Sequence, residues 1–171
     1  MRRIGFAAAL LLALVLAGCG AKPAAQGGSI RNPEAMISSA ALFDPARFAG
    51  EWRVAASSAP GCGGARQAWH WDGRGTFRLS GIDCTGRQPA VLDGRAVLSG
   101  PGGRLTPSGG YGEAPIWVLW VDQEYRVAVL GTPGGQWAVV LSRSAPLRAD
   151  LMQAAREVLD FNGYDLSRVG G

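Results

Sequence analysis

The chain is short of the residues that most enzymes use. It has one histidine, His70, and three cysteines in 171 residues, and only 18% of it is charged. A Ser/His/Asp triad would have to employ His70, and no Gly-x-Ser-x-Gly nucleophile motif accompanies it. Histidine-rich metal signatures and paired-carboxylate signals are missing too, so no catalytic residue, metal or cofactor is expected. The glycine clusters contain neither Gly-x-x-x-x-Gly-Lys-Ser/Thr nor a strand-to-helix Gly-x-Gly-x-x-Gly, which leaves hairpin turns as their reading. An excess of one charge sign is also lacking. The formal net charge is +4, but Arg2 and Arg3 fall in a segment read below as a removable leader, and without them fifteen basic residues stand against thirteen acidic ones. A balance of +2 gives no electrostatic case for a nucleic-acid partner. What is present is 47% apolar residues, 26 glycines and 10 prolines. That mixture fills one core between many tight turns and fits neither a disordered chain nor a polytopic membrane protein.

The N-terminus has a definite chemistry. Met1-Arg2-Arg3 is a charged start, Ile4 to Val15 is apolar, and Leu16-Ala17-Gly18-Cys19 places small residues before a thiol. This is a lipobox after a signal peptide over residues 1–18. Counted on through Leu16 and Ala17, the apolar run is about 14 residues and spans about 21 Å as a helix, too short for a hydrocarbon core near 30 Å. After cleavage Cys19 becomes the N-terminus and is expected to carry acyl chains, which would make the membrane a partner. Gly20 follows it where an aspartate would be an inner-membrane signal. By resemblance to enterobacterial lipoprotein sorting, that favours the outer membrane, with the domain facing the periplasm. Residues 19–41 are expected to form the lipidated end and a flexible tether, since Gly20 to Ser29 has nothing to bury. The folded domain, residues 42–171, is expected to begin near Phe43.

From there to Leu141, runs suited to strands alternate with turn clusters. Candidate strands are Trp52 to Ser57, Arg66 to Trp71, Thr76 to Ile82, Ala90 to Leu98, Arg104 to Thr106, Ile116 to Val121, Tyr125 to Leu130 and Trp137 to Leu141. Short glycine-rich connections such as Asp72-Gly73-Arg74-Gly75 suit hairpins between sequential neighbours. Eight strands in such a meander close into an all-β, antiparallel, up-and-down barrel. Beyond them Leu147, Leu151, Ala155, Val158 and Leu159 share one helical face, predicting a helix over Arg148 to Phe161 that stops at Asn162-Gly163. Its stripe needs a partner, and the doubly apolar runs Val127 to Leu130 and Ala138 to Leu141 suit the outer wall it would cover.

Three motifs in order now resemble a known family. Gly50-Glu51-Trp52 matches the glycine-x-tryptophan that opens the first strand of lipocalins. Asp122-Gln123-Glu124-Tyr125 looks like their Asp-x-x-Tyr hairpin, and the arginine after strand eight matches Arg143. Behind a lipobox, and with a terminal helix, the chain resembles the bacterial outer-membrane lipoprotein lipocalins. It departs from them at Arg53, where tyrosine is usual, and across Tyr111 to Trp117. The resemblance implies that Trp52 and Arg143, with Gly50, plug the barrel floor as structural residues. It also implies a small hydrophobic or amphiphilic ligand, of the fatty acid or lysophospholipid class, and no enzyme activity. The chain also looks somewhat like periplasmic barrel inhibitors of metalloproteases, which makes a protease partner the alternative; those end near the position of Arg143, whereas this chain continues.

Cys62 and Cys84 are an even pair in an exported chain, the condition for a disulfide. A hairpin centred at 73.5 places Cys62 opposite position 85, one residue from Cys84, at the open mouth of such a barrel. Two free thiols, or a metal shared with His70, are the alternatives, and the second is weak because His70 lies within a strand. Alternation on strands two and three puts Trp69 and Trp71 on one face and Phe77 and Leu79 on another, both inward. Gly94, Ala96, Leu105 and Val118 join them as candidate ligand contacts. Two readings of this interior stay open: a ligand cavity, or a barrel filled by its own rings. His70 should face outward.

Overall fold

The computed structural model describes residues 28–171. The leader and residues 19–27, Cys19 among them, lie outside the described residues. Eight strands form one closed antiparallel barrel in sequence order. They are β1 (Gly50–Ser57), β2 (Arg66–Trp71), β3 (Thr76–Asp83), β4 (Ala90–Leu98), β5 (Arg104–Ser108), β6 (Ile116–Val121), β7 (Val127–Gly131) and β8 (Ala138–Ser142), with β8 closing on β1. A one-turn helix, α1 (Pro45–Phe48), precedes the barrel, and α2 (Ala149–Phe161) follows it. The expected fold class is therefore the observed one.

Local chemistry explains the boundaries. Asp44 caps α1 by accepting from Ala46 N at 2.9 Å and Arg47 N at 3.2 Å, with proline at the first helical position. At the β2–β3 turn the Asp72 carboxylate accepts from Arg74 N at 2.7 Å and Thr76 N at 3.0 Å, while Gly73 and Gly75 supply positive φ. The extra residue in that turn gives pairs such as Trp69↔Leu79 and Trp71↔Phe77. Paired positions therefore sum to one more than a centre at 73.5 requires. Tyr125 was expected to open strand seven but lies outside it. It takes φ 55°, and its N–H donates to Asp122 O at 2.9 Å, so the turn ends only at Val127.

The helix packs on β7, as the pattern placed it, with β6 as its second strand neighbour where β8 was expected. Ala155 and Leu159 are buried against a cluster that includes Val127, Val129, Ala138 and Val140 on the outer side of β7 and β8, and every residue of those two strands is buried. Gly163, at φ 83°, ends the helix in the left-handed conformation.

The folded part begins earlier than Phe43. Ile30 is 6% exposed and Arg31 7%, and the segment from Ile30 to Ala40 bonds along the helix end and the barrel wall through Ile30 N to Gly135 O, Asn32 N to Gly163 O and Ala40 N to Val118 O. The Arg31 guanidinium donates to the carbonyls of Asn162, Pro133 and Ala35. Ile30, Met36 and Ile37, among one proline, alanines and polar residues, have no sustained periodicity to announce this. It is held by backbone bonds and one buried guanidinium, neither of which a hydropathy pattern records.

Candidate functional site: the barrel interior and its two ends

The floor is built on one guanidinium. Arg143 lies over the Trp52 ring, 3.7 Å from its centroid. Its N–H groups reach five carbonyls: Glu51 at 2.7 Å, Phe48 and Ala49 at 2.9 Å, Arg47 at 3.1 Å and Tyr125 at 3.3 Å. Burial lowers its pKa, and no carboxylate is among those partners. Gly50 has φ 112°, and a Cβ there would stand 3.0 Å from Arg143 Nη1, so glycine lets the guanidinium lie flat on the first strand. Trp52 Nε1 donates to Phe48 O at 2.9 Å. Gly50, Trp52 and Arg143 thus meet at the closed end, with Phe48 of α1 as a further stopper.

Above the floor, Trp69, Phe77, Leu79, Ala96, Leu105 and Val118 all point inward and are fully buried, and Gly94 pairs with Leu79. Trp71 is half-buried near the floor, its ring 4.8 Å from that of Phe77. His70 faces solvent opposite Arg78. Among the described residues no group of three or more His, Cys, Asp or Glu side chains is placed to hold a metal ion.

The interior is occupied by a run of rings from floor to mouth. Centroid separations are 5.1 Å for Trp52–Phe48, 5.1 Å for Phe48–Trp69, 5.0 Å for Trp69–Tyr111 and 5.3 Å for Tyr111–Trp137, the last three nearly edge-to-face. Two depressions of about 380 and 510 Å³ lie outside the barrel, and neither is lined by Trp69, Trp71, Phe77 or Leu79. Between the two readings of the interior, this conformation is the ring-filled one.

The mouth holds residues that pattern reasoning missed. Tyr111 sits in the β5–β6 loop at φ 64°, fully buried. Its hydroxyl and Trp69 Nε1 both donate to Gln67 Oε1, at 3.2 and 3.4 Å, and Gln67 Nε2 donates to Ile82 O. Asp83 accepts from Tyr111 N at 2.7 Å and from the Thr85 hydroxyl at 2.6 Å. Burial, and then the Asp83 charge, push the Tyr111 phenol well above its ordinary pKa, so it stays a neutral donor. The Cys62–Cys84 disulfide, with Cα atoms 6.0 Å apart, ties the first loop to the end of β3 beside this cluster, as the register implied. A lone aromatic inside Gly109-Gly110-Tyr111-Gly112 was the available signal for the plug.

Residues 107–170 match the family model described as a lipocalin-like domain. Temperature-induced lipocalin-1 of Arabidopsis thaliana is 32% identical over 53 residues, which are 31% of this chain and 28% of that protein. Among solved structures, apocrustacyanin C1 aligns with a TM-score of 0.56 at 18% identity, over 72% of this chain and 75% of its own. Lobster apocrustacyanin A1 aligns with a TM-score of 0.57 at 17% identity, over 72% and 76%. The sequence matches are similarities to lipocalins over part of the chain, and the solved structures support the barrel fold.

Proposed function

We propose that this chain is a lipocalin-type binding protein, anchored to the outer membrane through acylated Cys19, that takes up the acyl part of a fatty acid or lysophospholipid for storage, transport or scavenging. One observation carries the binding reading: a closed barrel with a plugged floor whose inner wall is apolar from Phe48 to Trp137, with Gln67 and Ser57 as buried polar exceptions toward the mouth. An acyl chain entering that space gains about 0.8 kcal/mol for each methylene removed from water, before the cost of ordering it. To admit it the rings must turn. The β5–β6 loop carrying Tyr111 is the segment whose displacement would uncover Trp69 and Phe77; it is held by the edge contacts of the Tyr111 ring with Trp69 and Trp137 and by polar bonds at Gln67 and Asp83.

Tryptophan emission tests it. Titration with fatty acid or lysophospholipid should give a saturable shift, with affinity rising with chain length, since the interior indoles line the path of the chain. Where circular dichroism shows that Leu79→Glu has kept its fold, that variant should give no shift, because an unpaired carboxylate in the wall opposes an apolar tail. No saturable response to chains of about eight to eighteen carbons would end the lipid reading and bring forward the protease-inhibitor alternative.

A further inference from the structure

The described chain joins the barrel at its mouth. Ile30 N donates to Gly135 O and Asp165 N donates to Ile30 O, both at 2.8 Å, and Gly135 lies in the β7–β8 loop on the mouth rim. The Arg31 guanidinium next to it reaches Pro133 O in that same loop, Asn162 O at the end of α2, and Ala35 O. One guanidinium spans only a short distance, so the end of α2 and Ala35 stand level with the rim. From there the segment runs down the wall past Val118 O, the acceptor of Ala40 N, to the floor, where Asp44 N donates to the Tyr125 hydroxyl.

This order fixes where a lipidated Cys19 can stand. Ser29 is ten residues after Cys19, and ten residues reach at most about 36 Å. β1 has eight residues. That is about 26 Å of strand, and the tilt of barrel strands leaves mouth and floor about 20 Å apart. A barrel standing floor-down would take up more than half of the tether's reach in running it back along the wall. Standing mouth-down takes up none.

The surface beside the root of the tether suits lipid. Phe161, 75% exposed on the last turn of α2, and Met36, 85% exposed beside Ala35, flank the helix end that Arg31 ties to the rim. Ser38 N donates to Asn162 Oδ1 at 2.9 Å, which holds the two on one piece of structure. Val91, 83% exposed, opens β4 at the same end of the barrel. Leu42 and Val97, the other exposed large apolar side chains among the described residues, lie toward the floor, away from the tether. An aromatic ring and a thioether standing in solvent next to an acyl anchor are placed to sink into the headgroup boundary of a bilayer.

We propose that the mouth end of the barrel rests on the bilayer that holds Cys19, with Phe161 and Met36 as its lipid contacts. The inference rests on the acylation and the binding function proposed above. It turns the Tyr111 loop, and not the Arg143 floor, toward the source of acyl chains.

The test uses the full lipidated chain in phosphatidylcholine vesicles that carry a lipid-linked acceptor dye. Flotation first establishes that the chain is attached. A donor dye is then placed either at the mouth, through Arg87→Cys in the β3–β4 loop, or at the floor, through Arg74→Cys in the β2–β3 turn, both exposed positions. Cys62 and Cys84 are bonded to each other, and a lipidated Cys19 offers no thiol to the dye. Energy transfer to the bilayer should be about 2-fold or more greater from the mouth than from the floor, given ends about 20 Å apart. Adding Phe161→Ser and Met36→Ser should bring the two efficiencies toward equality while the chain still floats with the vesicles. Equal transfer from both ends of the unaltered surface, or greater transfer from the floor, overturns the orientation and leaves acyl attachment standing. A mouth preference that survives the double serine variant overturns the lipid contacts assigned to Phe161 and Met36. Failure of the full chain to float removes the anchor and this inference together.

Discussion

Arg143 concentrates more of the fold than any other side chain, because a single guanidinium ties β1, α1 and the β6–β7 turn to the end of β8. Stacking on Trp52 contributes about 0.5–2 kcal/mol. The larger effect is the set of half-buried carbonyls that lose their donor when it is removed. Arg143→Ala should lower stability by about 2–4 kcal/mol in urea unfolding, and Arg143→Lys should recover under half of that, because an ammonium cannot span five acceptors in a plane. Asp122 gives a second test at this scale. Burial works against its charge, but donation from Val127 N, Arg126 Nε and Arg126 N outweighs it and lowers its pKa. A carboxylate with a depressed folded pKa contributes stability that is complete above its unfolded pKa of about 3.9 and is lost as pH falls through the folded value. The melting temperature should therefore drop below about pH 4, and Asp122→Asn should start lower at pH 7 and fall less steeply across the same acid range.

At the scale of elements, hydropathy and turn chemistry made the eight strands and the helix legible, with boundary errors of one or two residues except where a turn kept its own geometry, as at Tyr125 and Arg126. Inward positions on β2 and β3 were legible for the same reason, since period-two alternation needs only a register. The mouth was not. Tyr111, Gln67 and Asp83 come together across loops and strands far apart in sequence, and a polar residue such as Gln67 breaks the alternation that reveals an inward face. The Ile30 to Ala40 segment escaped because it follows the wall through backbone bonds without forming a strand of its own. The disulfide lies between these cases: the pairing and its place at the mouth were readable from the hairpin register, but its neighbours Tyr111 and Asp83 were not. With a sequence separation of 22 residues, the bridge should contribute about 3 kcal/mol through loop entropy. Chemical unfolding with and without reductant should show a difference of that order, and a non-reducing peptide map should recover Cys62 and Cys84 in one linked species. Reduction should also raise hydrogen exchange first in the β1–β2 loop and at Tyr111 N–H, whose acceptor Asp83 adjoins Cys84.

For the whole molecule, what joins binding to place is the proposed acylation of Cys19, and it sets what the domain could exchange with its surroundings. Each buried methylene of an acyl chain contributes about 0.8 kcal/mol to membrane attachment, and one chain alone gives only reversible binding, so stable attachment takes a second chain or another signal. A net charge near +2 without the leader is too small to serve as that signal across the whole protein. The attachment should therefore be insensitive to salt and dependent on the thiol. Expressed in a bacterium that processes lipoproteins, the unaltered chain should sediment with membranes in about 1 M salt and be released by detergent. Cys19→Ser should move the protein to the soluble fraction or leave it as an uncleaved precursor held by the apolar run from Ile4 to Val15. Size on a denaturing gel separates those two outcomes. If the mature-sized Cys19→Ser protein still pelleted in high salt, acyl anchoring would be wrong, and the membrane contact would have to be sought on the folded domain.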